Sequence, residues 1–188
     1  MRLGMKVKVS TLIFISFFFV FISAKTVSAQ VIELSPTIPI STPAAAVQTV
    51  DYQLPYPGLL PDNPLYVFKA ARDKVVEFLI SDPVKKAEFY LLSSDKRVNT
   101  GYYLIIKGKH DMGMLYISKS NSYLSLANSA TTQSGENGKS IRDRLDLAVK
   151  KHIELLNSLT KRIDKKNSTK LANEIKRLEK FQTLINKK

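Results

Sequence analysis

From residue 62 onward apolar side chains recur at three- and four-residue steps, the period of a helix with one buried face. Asn63-Pro64 supplies a capping side chain and then proline at the first helical position, where a missing N–H costs nothing. Leu65, Phe68, Val75 and Leu79 then share a face, which predicts a first helix packed against a core. Ser81-Asp82-Pro83 repeats the device with Asp82 as cap, and Val84, Ala87, Leu91, Val98, Tyr102 and Ile105 follow. Gly108 marks the end of that second helix. Asp111 offers a cap for a third, whose apolar stripe reads Met112, Leu115, Tyr123, Leu126 and Ala130. Residues 133–138 read as a loop by composition. Ile141, Leu145, Ala148, Leu155, Leu159 and Ile163 predict a long fourth helix. Asn167-Ser168-Thr169 offers caps for a fifth, carrying Leu171, Ile175, Leu178 and Ile185. No alternation of strand type competes. The expected fold is all-α: four to five antiparallel helices, as a bundle or a chain of helical hairpins. The last two are long and highly charged, which suggests a coiled-coil hairpin with a thinner core than the first half.

Upstream the pattern changes twice. Arg2, Lys6 and Lys8 form a positive start, Val9 to Ala24 is almost wholly apolar, and Val27-Ser28-Ala29 puts small residues before Gln30. This is the layout of a secretory signal peptide cleaved between Ala29 and Gln30. The alternative is an uncleaved N-terminal membrane anchor, although the apolar run is shorter than the roughly 20 residues of a spanning helix. Either way the rest of the chain is expected outside the cytoplasm, secreted or membrane-tethered. Residues 30–61 then hold Pro36, Pro39, Pro43, Pro55, Pro57 and Pro61 among Ser, Thr and Ala. Repeated proline opposes helix and sheet, so this segment is expected to be an extended, mobile linker. The expected organisation is residues 1–29 as signal or anchor, 30–61 as linker and 62–188 as helical domain.

Composition narrows the chemistry. The 188-residue chain has no cysteine, which excludes disulfides, thiolate metal sites, a cysteine nucleophile and a lipidated N-terminal cysteine. The net charge of +13 is unevenly placed: residues 30–138 balance ten bases with ten acids, whereas residues 139–188 hold fifteen bases and six acids. Such asymmetry points to an anionic contact for the C-terminal end, or simply to a solvated helix surface. The candidate contact residues are Lys161, Arg162, Lys165, Lys166, Lys176, Arg177 and Lys180. Anionic lipid headgroups or an anionic envelope polymer fit better than nucleic acid, because the chain carries an export signal and the tail has one aromatic, Phe181, for stacking.

Residues 59–97 carry a resemblance. Leu60-Pro61-Asp62-Asn63-Pro64-Leu65-Tyr66, Phe68-Lys69-Ala70 and Asp82-Pro83-Val84-Lys85-Lys86-Ala87-Glu88 resemble the bacterial domain of unknown function 5667 family, and Lys151-His152-Ile153-Glu154-Leu155-Leu156 is similar to a later helix of it. The chain departs from that pattern at Gly101-Tyr102-Tyr103, where relatives keep an uninterrupted helix of Ala, Glu and Leu. The resemblance implies an exported or tethered helical domain and assigns no activity. Its signature also has a structural reading: two Asn/Asp-Pro caps fix two helix starts, and Tyr66 and Phe68 pack the hairpin.

Candidate catalytic chemistry is sparse. No nucleophile elbow, phosphate loop, dinucleotide fingerprint or zincin motif is present. Asp143 with Asp146 lies among Arg142, Arg144 and Lys150, which is ordinary helix-surface ion pairing, and Asp62 near Asp51 is a second weak carboxylate pair. His110-Asp111-Met112-Gly113-Met114 and the isolated His152 are a distant metal candidate. No catalysis, cofactor, metal or small-molecule substrate is expected. The expected function is that of a non-catalytic module for protein–protein or envelope contact, with an unknown protein partner or an anionic envelope component near the membrane.

Overall fold

The computed structural model describes residues 50–187. The expected signal peptide, the Ala29–Gln30 cleavage point and residues 30–49 of the expected linker lie outside the described residues. Five α-helices follow one another: α1 (Tyr66–Leu79), α2 (Pro83–Ile106), α3 (His110–Gln133), α4 (Lys139–Leu159) and α5 (Lys165–Ile185). A 3₁₀ turn, Gly135–Gly138, fills the expected loop before α4. The all-α expectation holds.

Helices α2 to α5 form a four-helix bundle in which consecutive helices run antiparallel, while α4 lies parallel to α2 and α5 parallel to α3. α2 pairs with α3 and α4 with α5, while α2 also packs on α4 and α3 on α5. The last two helices therefore share one core with the preceding pair. Leu145, Leu156, Leu159, Leu171 and Leu178 are buried there with Leu91, Leu104, Ile117 and Leu124. The thin-cored separate hairpin is not observed, because the apolar faces of α4 and α5 meet α2 and α3 as well as each other.

The α2–α3 contact is built from small residues. Ala87, Ser94 and Gly101 on α2 are spaced by seven, as are Gly113, Ser120 and Ala127 on α3, and all six are buried. A Cβ added at Gly101 would lie 2.6 Å from Ile117 Cγ1 and 2.9 Å from the Gly113 carbonyl oxygen; one at Gly113 would meet Ile105 Cγ1 at 2.6 Å. The hydroxyl of Ser94 donates to the Ser120 carbonyl at 2.9 Å and that of Ser120 to the Ser94 carbonyl at 3.0 Å. The same antiparallel register sets Ala87 opposite Ala127. Larger residues on the same seven-residue step, Leu91, Val98 and Ile105 on α2 and Ile117 and Leu124 on α3, fill the space beside this seam. Gly101 thus lies within an uninterrupted α2, where it permits the close approach of α3.

Caps agree with expectation at some helix ends and differ at others. Asp82 accepts from the Lys85 N–H at 2.8 Å, with Pro83 opening α2. Gly108, at φ +76°, ends that helix as expected: its N–H donates to the Ile105 carbonyl and that of Lys109 to the Leu104 carbonyl. At α1 the helix begins at Tyr66, and Asn63 instead closes a turn by accepting from the Leu65 N–H at 2.9 Å. α3 begins one residue before Asp111, which is spent on α5. The α5 cap is Asp164, accepting from the Asn167 N–H at 2.8 Å, and not Asn167 itself. A carboxylate three residues upstream reaches the first free amides, so Asn167 becomes interior.

Two predicted stripes are wrong by a rotation. In α3 Met112, Leu115 and Leu126 are exposed, while Met114, Ile117 and Leu124 are buried beside Gly113, Ser120 and Ala127. In α1 the error is larger. No residue of that helix is buried, and Phe68, Phe78 and Leu79 are 74%, 86% and 70% exposed. Phe68 therefore does not pack the hairpin. The side of α1 that meets the bundle carries Tyr66, Lys69, Ala70, Asp73 and Glu77.

Candidate functional site

The residues preceding α1 are held to the bundle as a strap. Val50 N–H donates to Glu154 at 3.0 Å, the Asn99 amide donates to the Pro55 carbonyl at 3.0 Å, and Tyr56 packs edge-on against Tyr103. Lys69 reaches back to the Pro57 carbonyl at 2.5 Å and the Leu59 carbonyl at 3.2 Å. The end of the expected linker, residues 50–61, is therefore ordered on the domain, because side chains of α1, α2 and α4 satisfy the backbone groups that proline leaves out of helices and sheets.

The strap ends a buried polar chain. Tyr52 donates from its hydroxyl to Asp95 Oδ2 at 2.6 Å, and Asp95 Oδ1 lies 2.9 Å from His152 Nε2. His152 is completely buried and Asp95 nearly so. His152 Nδ1 has no hydrogen-bond partner among the described residues. Burial, and then the Asp95 charge, push the Tyr52 phenol well above its ordinary value. A tyrosine, a carboxylate and an imidazole in line suggest proton chemistry, but a general base must come within hydrogen-bond reach of its substrate. Here the imidazole is enclosed. What the chain does is join the strap, α2 and α4.

A cleft of about 440 Å³ lies between α1 and the α2–α3 pair. Tyr66, Phe89, Tyr116 and Tyr123 wall it, with Arg97, Lys74 and Lys119 and the carboxylates of Asp73 and Glu77. The Arg97 guanidinium stands 3.8 Å from the Tyr123 ring centre, and Lys119 is 4.9 Å from that of Tyr116. Tyr66 and Tyr116 meet edge to face at 5.9 Å. Tyr123 donates to Glu77 at 3.3 Å, and Lys74 pairs with the same carboxylate at 2.9 Å. Burial, and then hydrogen bonding with Tyr66, push the Tyr116 phenol up. This aromatic and charged seam holds α1 by its polar side.

The signature residues divide between caps and surface. Asp62 pairs with Lys109 at 3.0 Å and Lys107 at 3.4 Å, tying the approach to α1 to the α2–α3 turn, and the Lys109 hydrogen bond holds its carboxyl below the usual range. Asp51, the other member of that candidate pair, is exposed. Leu65 and Pro64 are exposed, and Leu60 and Pro61 are half-buried. Ala87 lies in the α2–α3 seam, and Glu88 makes only a long contact to Arg144 at 3.9 Å. Asp146 pairs with Lys150 at 2.6 Å, and Asp143 is exposed.

The seven candidate basic residues are all exposed, in the α4–α5 turn (Lys161, Arg162) or along α5. On α5, Lys165, Lys176 and Lys180 share the side opposite the buried Leu171, Ile175 and Leu178. Lys166 pairs with Asp111 at 2.8 Å and Arg177 with Glu174 at 2.9 Å. The histidines are engaged apart: His110 Nδ1 accepts from the Asp164 N–H at 3.4 Å, while His152 faces Asp95. No three potential His, Asp or Glu ligands gather among the described residues. The sequence reading missed the strap, the buried chain and the inverted α1. Apart from the Lys69 bonds, the first two join residues more than forty positions apart and leave no local mark. No family model, curated protein or solved structure matches this chain.

Proposed function

We propose that this chain is a non-catalytic helical contact module that works outside the cytoplasm, near the membrane. The observation that carries the reading is α1, which rests on the bundle by its polar side and leaves Phe68, Phe78 and Leu79 exposed among the described residues. Contiguous apolar surface of that kind marks an interaction site in a folded domain. The export-type N-terminus, the absence of catalytic motifs and the family resemblance support the same reading. Its partner is a protein or an anionic envelope component, with no cofactor, nucleic acid or small-molecule substrate involved. Fractionation of cells expressing the tagged full chain tests it. Recovery in the envelope or outside the cell is expected, and a cytoplasmic protein would overturn it.

A second reading rests on the outer side of α5. Lys165, Lys176 and Lys180 have no ionic partner among the described residues and form a cationic strip suited to an anionic polymer. Reversing the three to Glu is expected to lower polyphosphate binding at least ~10-fold and to flatten its salt dependence. Unchanged binding would remove this reading.

A further inference from the structure

The uncovered side of α1 has a regular make-up. At 3.6 residues per turn, Val67, Phe68, Ala71, Val75, Phe78 and Leu79 fall within about a third of the helix circumference, with no polar residue among them. Lys74 borders this stripe on one side and Arg72 on the other. The acids of the helix point the other way. Arg72 and Lys74 side chains are 69% and 73% exposed, against 32% and 19% for their partners Asp73 and Glu77. Two of the three cations thus flank the apolar side, Arg72 and Lys74 at the rim, while the carboxylates and Lys69 lie against the bundle and the strap.

We propose that α1 is an interfacial helix that lies in the headgroup layer of an anionic bilayer, its apolar stripe among the acyl chains and Arg72 and Lys74 on lipid phosphates. This rests on the reading of the chain as an extracytoplasmic contact module and names the partner of that surface. An apolar face with cationic flanks is the layout such helices use. Fourteen residues, about 21 Å long, suffice to lie in the interface and fall short of crossing the hydrocarbon. No described helix is long and apolar enough to span a membrane. A second copy fits the surface less well, because stripe-to-stripe pairing would bring Arg72 and Lys74 against the same cations.

The chain has no tryptophan, so one placed on the stripe reports that site alone. Phe78→Trp and, as a control on α5, Leu184→Trp are compared in the full chain, with phosphatidylglycerol and phosphatidylcholine vesicles at low and high salt. Both parent side chains are exposed. The expected result is a blue shift, with quenching by brominated acyl chains, for Phe78→Trp on phosphatidylglycerol, reduced by Arg72→Glu/Lys74→Glu and absent for Leu184→Trp. A response of Leu184→Trp alone would overturn the inference while leaving envelope contact, through α5, standing. No response at either position, with the chain recovered in the envelope fraction, would overturn it in favour of a protein partner. A shift without vesicles that grows with protein concentration would assign the stripe to a second copy. A shift without vesicles at every concentration would overturn it, because the stripe would then be covered in the free chain.

Discussion

Asp95 is where a single side chain decides most. It is buried between the Tyr52 hydroxyl and the His152 ring, so each partner removed leaves a carboxyl group without water to replace the contact. His152→Ala is expected to cost ~3–5 kcal/mol in urea unfolding, the range for breaking a buried pair by deleting one partner. Tyr52→Phe keeps the ring and removes one hydrogen bond, for which a loss of ~1.5–3 kcal/mol is expected. The two substitutions differ in their pH signature. The Tyr52 phenol holds its proton more tightly folded than unfolded. The stability this supplies is complete below about pH 10, the ordinary tyrosine value, and is lost as pH rises through the folded value. Melting temperature measured from pH 7 upward should therefore fall less steeply above about pH 10 in Tyr52→Phe than in the parent. An equal slope would mean that Tyr52 does not carry the alkaline loss.

At the scale of the elements, α2 and α3 depend on having almost nothing between them. Alanine in place of helical glycine normally favours a helix by about 1 kcal/mol. At Gly101 the added methyl would press on the Gly113 carbonyl, which is backbone and cannot rotate away. Gly101→Ala is therefore expected to destabilise the bundle by ~1–3 kcal/mol by chemical denaturation, as overpacking does. α1 should behave in the opposite way. Phe78→Ser on its exposed side is expected to change stability by no more than ~0.5 kcal/mol, whereas Leu91→Ala in the core is expected to cost ~2–5 kcal/mol. These elements also show what the sequence made legible. α2, α4 and α5 are readable because Leu91, Val98, Leu145 and Leu178 mark their buried sides with bulk. α3 misleads because its closest contact runs through Gly113 and Ser120, which hydropathy ignores although their seven-residue spacing is visible. α1 misleads for another reason. Its apolar periodicity is real, but periodicity shows that a face will be covered without showing by what. The candidate surface is thus half legible: Phe68, Val75 and Leu79 stand out by their spacing, Val67, Ala71 and Phe78 do not, and the direction reads inverted.

Across the whole molecule the two proposed contact surfaces belong to different helices, α1 against the α2–α3 pair and α5 in the bundle. α1 rests on the outer side of the α2–α3 layer, and the cationic strip of α5 faces away from the same core. The two contacts use different side chains, so salt should weaken them independently. Charge reversal on α5 should leave the vesicle response of Phe78→Trp unchanged, and fluorescence titration of the combined variant checks this. The strap adds a matter of timing. Val50 leaves the ribosome long before Glu154, the group at the far end of its bond, and Tyr52 bonds an Asp95 whose second partner, His152, comes as late. The α2–α3 hairpin, with its short turn and local pairing, can form early and receive most of the strap through Asp95 and Asn99, while its start at Val50 waits for α4. The first described residue to be synthesised is thus among the last to be secured, and until then the start of the strap stays loose while the rest of the bundle takes shape.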